Sequence, residues 1–222
     1  MSLPLLSLLE TRVVGVLVEK QQTVPDTYPL TLNALVAGCN QKTSRDPVLN
    51  ATDAEVQTAL DHLRSLALVI ESSGGRVMRY AHNVERVLQV PPQSVALLAA
   101  LMLRGPQTAG ELRISCERLY RFTDISSVEA FLAELSERPT GALVVELARQ
   151  PGARENRWAH LLAGAPAPEV LAASAAPVVL EDEVTLGELA ALKANVARLE
   201  GEIESLKTTV AKLCTEFGIT AR

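Results

Sequence analysis

Two groups of polar residues have types and spacing that can do chemistry, and in both that chemistry is the neutralisation of negative charge. Gln41, Lys42, Thr43, Ser44 and Arg45 form one polar run between two apolar stretches. There Lys42 and Arg45 can neutralise phosphates, while Gln41, Thr43 and Ser44 donate hydrogen bonds to them. Arg45 has an alternative: pairing with Asp46 or Glu55 to fix a turn. The second group, Arg149, Arg154 and Arg157, surrounds Pro151-Gly152 and is interrupted by Glu155. These arginines suit a phosphate backbone or, equally, an acidic protein surface.

Catalytic chemistry has no comparable anchor. The phosphate-cradling, dinucleotide, zinc-protease and serine-hydrolase signatures are all missing. His62, His82 and His160 fall in separate elements, and Cys39, Cys116 and Cys214 are too far apart for a zinc or disulfide pattern. Buried small hydrophobes are the expected role of such cysteines. Glu181-Asp182-Glu183 precedes a helix, where negative charge favours the N-terminal dipole. The expectation is therefore no catalytic residues, no metal and no cofactor.

Positioning these groups falls to helices. Of 222 residues 48% are apolar but only 3% aromatic, so the core must come from Leu, Val and Ala. The net charge of −5 is concentrated in residues 164–222, with 5 basic and 9 acidic groups, which argues against a generic nucleic-acid coat. The longest apolar run, Val95 to Leu103, is about half the ~18–20 residues that span a bilayer. Without a basic secretory signature as well, a cytoplasmic protein with no membrane partner is expected.

Along the chain, Leu6, Leu9, Val13, Val16 and Leu17 mark a first helix, with Glu10, Arg12, Glu19 and Lys20 on its other faces. Thr23-Val24-Pro25-Asp26 ends it. A second helical stretch runs from Leu30 to Cys39. Thr52 and Glu55 then form a capping box before Val56, Ala59, Leu60 and Leu63. Leu68–Ile70 and Val77–Tyr80 read as a hairpin across Ser72–Gly75. The same order returns. Ser94 caps a helix that stops at Arg104-Gly105-Pro106, Thr108 starts a short one, and Ser126 with Glu129 boxes a third. Leu143–Leu147 and Trp158–Leu162 close around Pro151-Gly152.

Three helices and a hairpin, twice, are the order of tandem winged helix-turn-helix domains. The expected fold is mostly α with small β-hairpins (α+β), plus a C-terminal coiled-coil helix. Its divisions are 1–82 and 94–162 for the two winged domains, 83–93 between them, an Ala/Pro-rich linker over 163–183, the coiled coil over 184–217 and a tail over 218–222. Leu189, Val196, Ile203, Val210 and Phe217 recur every seven residues, interleaved with Leu192, Leu199, Leu206 and Leu213. β-branched residues at the central a positions with leucine at d favour a parallel homodimer.

The third helices argue against groove reading. Asp53, Glu55 and Asp61 mark the first; Glu129, Glu134 and Glu137, against Arg138 alone, mark the second. Even so, the expected function is a non-enzymatic, DNA-associated regulator with the two groups above on phosphates. The rival is a protein-interaction adaptor with an unknown protein partner and no direct nucleic-acid contact. Long segments, Pro29 to Asn33, Cys39 to Val48, Leu103 to Arg113 and Arg149 to Arg157, resemble the YceH family of bacterial proteins. The resemblance covers residues 5–162 and implies a tandem winged-helix fold, with no site residues to carry over. Removal of residues 184–222 is expected to halve the mass measured by light scattering; an unchanged mass would remove the tail from self-association.

Overall fold

Ser7 and Glu10 satisfy each other's backbone amides, and this capping box starts α1 (Leu8–Thr23). The computed structural model describes residues 4–72, 77–149 and 153–165. The tips of both hairpins, 73–76 and 150–152, and the heptad seam from Leu189 to Phe217 lie outside the described residues. Within α1, every residue from Glu10 to Val18 is buried. Periodicity puts Glu10 and Arg12 on outward faces, but Arg12 is fully buried and Glu10 nearly so. The reason is that α1 has neighbours all round it: α2 (Leu32–Cys39), α3 (Asp53–Ser65), β3 (Arg79–His82) and α5 (Pro92–Arg104).

A 3-10 turn over Pro25–Thr27 leads from α1 into β1 (Leu30–Thr31), which takes the first two residues of the expected second helix. Thr31 caps α2, and the Thr52–Glu55 box opens α3 as expected. β2 (Val69–Ser72) and β3 follow, and the antiparallel sheet runs β1-β3-β2, with Leu30 opposite Tyr80 and Val69 opposite His82. A short helix that the sequence reading leaves out, α4 (Val84–Leu88), occupies part of the segment between the two halves.

The second half repeats the order with α5, α6 (Ala109–Ser115), α7 (Ile125–Ser136), β4 (Val144–Glu146) and β5 (Trp158–His160). Even the third strand has a counterpart, because Gln107 forms a single bridge to Trp158 just before α6 begins. Two starts differ from expectation. Pro92 at the first position of α5, where no amide donor is needed, begins it two residues before Ser94, which is buried inside the first turn. Asp124 with Ser127, rather than Ser126 with Glu129, forms the box of α7. The result is an α+β protein, mostly helical with small antiparallel sheets.

One apolar core extends from Leu6 to Leu162. Its centre is the contact of α1 with α5, whose residues Ser94 to Leu103 are all buried. Gly15 makes the close approach possible: a Cβ there would lie 2.9 Å from Leu103 Cγ. Gly38 does the same for α2, where a Cβ would lie 2.6 Å from Val16 Cγ1. Polar bonds reinforce the seam. The Asp46 amide donates to Leu103 O at 2.8 Å, Arg104 Nη2 donates to Ser44 Oγ at 2.9 Å, and the Leu6 amide donates to Leu162 O at 2.8 Å. No described helix is long and apolar enough to cross a membrane.

Gly15→Ala is expected to lower the denaturant midpoint even though alanine improves helix propensity by about 1 kcal/mol. Urea unfolding measures this. A raised midpoint would show that α5 gives way freely at this contact.

Candidate nucleic-acid interface

The loop between α2 and α3 is closed at its base by Asn40. Its side chain donates to Ala51 O and accepts from the Ala51 amide, both at 2.8 Å. Inside the loop, two guanidiniums meet the C-terminal carbonyls of α2. Arg12 donates to Cys39 O (3.2 Å) and Pro47 O (2.6 Å), and Arg45 Nε donates to Gly38 O (3.2 Å). Positive charge is favourable at this end of a helix, where carbonyls lack amide partners. Arg45 also forks onto both carboxylate oxygens of Glu19, at 3.1 and 2.6 Å, and donates to Gln41 Oε1 at 2.5 Å. Burial would raise the Glu19 carboxyl, but Arg45 and then Lys20 hold it below its ordinary range. Arg12 has no carboxylate of its own among the described residues, and its buried Nε has no hydrogen-bond partner there.

This geometry corrects the expected phosphate contacts. The Arg45 side chain has no exposed surface and is committed to Glu19. It uses neither local alternative: Glu55 is engaged by Thr52, and the Asp46 segment is bonded to α5. Gln41 Oε1 is taken by Arg45, and Ser44, at φ 58°, receives Arg104. Lys42 and Thr43 are exposed. At the second hairpin Arg149 and Arg154 are exposed, whereas Arg157 turns back. It donates to Pro106 O at 2.7 Å and pairs with Glu111 at 3.0 Å, which ties β5 to the start of α6.

The outer faces of the third helices carry carboxylates, as the sequence suggests. Asp53, Glu55 and Asp61 are exposed on α3, and Arg64 there is engaged by Asp61 (3.4 Å) and Glu71 (2.8 Å). On α7, Glu129 and Glu134 are exposed, with Glu137 just past its end, while Arg138 donates to Leu88 O in α4. The sequence reading passes over three arginines that are exposed in the structure: Arg113 on α6, and Arg118 and Arg121 before α7. Their signal was density of charge, three arginines in nine residues; the surrounding apolar pattern drew attention to the core side of the same segment.

Of the histidines and cysteines the sequence singles out, His62 is exposed and pairs with Glu10 on α1, while His82, His160, Cys39 and Cys116 are inward. Burial pushes His82 and His160 down to about 4 and the Cys39 and Cys116 thiols up to about 12. Among the described residues no three His, Cys, Asp or Glu side chains come together to hold a metal. A depression of about 170 Å³ lies where Gln21, His82 and Glu85 face Val95 and Tyr120. It is smaller than the ~300 Å³ at which small-molecule sites begin.

These features define a class: an α+β protein of two repeated helical units with hairpins. The family model described as "Protein of unknown function, DUF480" matches residues 6–153. A UPF0502 protein of Dechloromonas aromatica is 57% identical over 215 residues, covering 97% of this chain and 99% of that protein. UPF0502 proteins of Methylibium petroleiphilum and Paraburkholderia xenovorans are 58% and 57% identical, over 98% and 99% of this chain and 92% of each relative. The chain belongs to this bacterial family, the one its segments resemble.

Arg45→Ala should cost about 3 kcal/mol, because it leaves Glu19 on α1, largely buried, with only Lys20 for a counter-charge. The Glu19 contribution has a definite sign. A carboxyl lowered in the folded state stabilises above its unfolded pKa of about 4.3 and is lost as pH falls through the folded value. Urea midpoints of wild type and Glu19→Gln should therefore differ at neutral pH and converge in acid. A difference that persists undiminished well below pH 4 would contradict the pairing.

Proposed function

We propose that the protein is a non-enzymatic, cytoplasmic, DNA-associated regulator made of two winged helix-turn-helix units and paired through its heptad seam. The observation that carries this reading is the repeated unit itself. In each half a backbone bridge just before the second helix pairs with the hairpin strand: β1 with β3, and Gln107 with Trp158. That makes α3 and α7 the third helices and the hairpins the wings. Such units approach DNA with the third helix and the turn before it. Lys42 and Thr43 on the first such turn, with Arg149 and Arg154 on the second wing, are exposed and suited to phosphates.

The carboxylates limit what such contacts can read. A carboxylate ~4 Å from a phosphate is repelled by about 1 kcal/mol even at the dielectric of water. With Asp53, Asp61, Glu129 and Glu134 outermost, binding is directed at the backbone and tolerant of sequence. The same carboxylates favour the second reading, a protein-interaction adaptor.

Fluorescence anisotropy on random-sequence duplex DNA at ~50 and ~200 mM salt separates the two. The expected result is micromolar or tighter binding that falls steeply with salt and is weakened by Arg149→Ala with Arg154→Ala. Absence of binding at the lower salt overturns the DNA reading; a stoichiometric protein partner recovered after nuclease treatment would then establish the adaptor.

A further inference from the structure

We infer that the main phosphate-contacting site is the end of α6 and the turn that leads from it to α7, through Arg113, Arg118 and Arg121; the inference rests on the DNA reading above and locates its strongest contact. The two halves use equivalent turns in opposite ways. In the first half the one arginine of the turn, Arg45, is drawn inward to Glu19 and to the end of α2. In the second half Arg113, in the last turn of α6, and Arg118 and Arg121, in the turn that follows, are all exposed, and none has an ion-pair partner among the described residues.

Nearby acids are largely engaged elsewhere. Glu111 caps the amide of Thr108 and pairs with Arg157. Asp124 accepts from the Ser127 amide at 2.7 Å, and it feels Arg113 only as a smaller influence. Glu117 is exposed within the turn and removes one charge from the local sum. Asp124, exposed and held ionised by its Ser127 hydrogen bonds, removes a second, so the arginines outnumber the carboxylates of the turn three to two.

The backbone under these side chains is fixed. The Leu119 and Tyr120 amides both donate to Cys116 O, at 2.7 and 2.8 Å, and Cys116 Sγ reaches Ala96 O in α5. Phe122 is buried behind the turn, with its ring 5.0 Å from Tyr120 and 6.1 Å from Phe131. A rigid turn that presents guanidiniums loses little backbone freedom on binding, and guanidinium geometry matches phosphate oxygens. Glu129 and Glu134 on the following helix keep the contact on the backbone.

The test compares wild type with the triple variant Arg113→Gln/Arg118→Gln/Arg121→Gln by anisotropy on random duplex DNA across ~50–200 mM salt. Circular dichroism and thermal melts check folding, and the corresponding triple lysine variant retains charge if the glutamines disturb the turn. Each phosphate contact adds about 0.9 to the salt slope, so losing three narrows the gap between wild type and variant about 40-fold over that fourfold rise in salt. The lysine variant should keep most of the slope. Wild-type binding with an unchanged triple variant overturns this site but leaves the DNA reading standing. Absence of wild-type binding overturns both. Poly-glutamate that competes as well as DNA of equal charge overturns the phosphate assignment in favour of an acidic protein partner.

Discussion

The contact of α1 with α5 at Gly15 is what the rest of the structure depends on. Because the two helices approach where a side chain would collide with Leu103, α1 loses its last free face and becomes the shared centre of both halves. Over Glu10 to Val18 the helix has no outlet for polar side chains. Arg12 must then find partners inside, and it finds them in the carbonyls of Cys39 and Pro47. Close helix packing and buried cationic chemistry are thus one arrangement.

Charge in this protein serves architecture first. Arg45, Arg157, Arg64 and Arg138 all spend their donors on carbonyls or carboxylates of the same chain. They fasten a helix end, a hairpin, a strand and a connector in turn. What is left for a polyanion is the smaller set of cations with no such employment, which include Lys42, Arg118 and Arg121 on turns and Arg113 at the end of α6. A near-neutral domain can still present a local positive surface when its carboxylates are occupied internally, as Glu111 and Glu19 are.

Local features were legible in the sequence because their physics is local. The Thr52–Glu55 box, the stop at Gly105 and the apolar face of α3 depend on residues a few positions apart. The box at α7 was misread because two overlapping pairs, Asp124–Ser127 and Ser126–Glu129, satisfy the same local rule and only packing of the helix start decides between them. Burial of Arg12 was not legible, since periodicity reports one apolar face but not how many neighbours a helix has. Arg45 and Arg157 were misassigned for a related reason: their partners Glu19 and Glu111 lie 26 and 46 residues away. A charged residue in a polar run gives no sign of so distant a counterpart.

The loop from Asn40 to Ala51 also bears on how this chain can change. Surface loops ordinarily accept extra residues, because their ends are all that the fold specifies. Here the base is clasped by Asn40, the middle is bonded to Leu103 and Arg104, and the interior is filled by two guanidiniums. Its length is therefore a dimension of the molecule, in the way a strut is. One residue more or less would shift Asp46 off the end of α5 and open the joint between the halves.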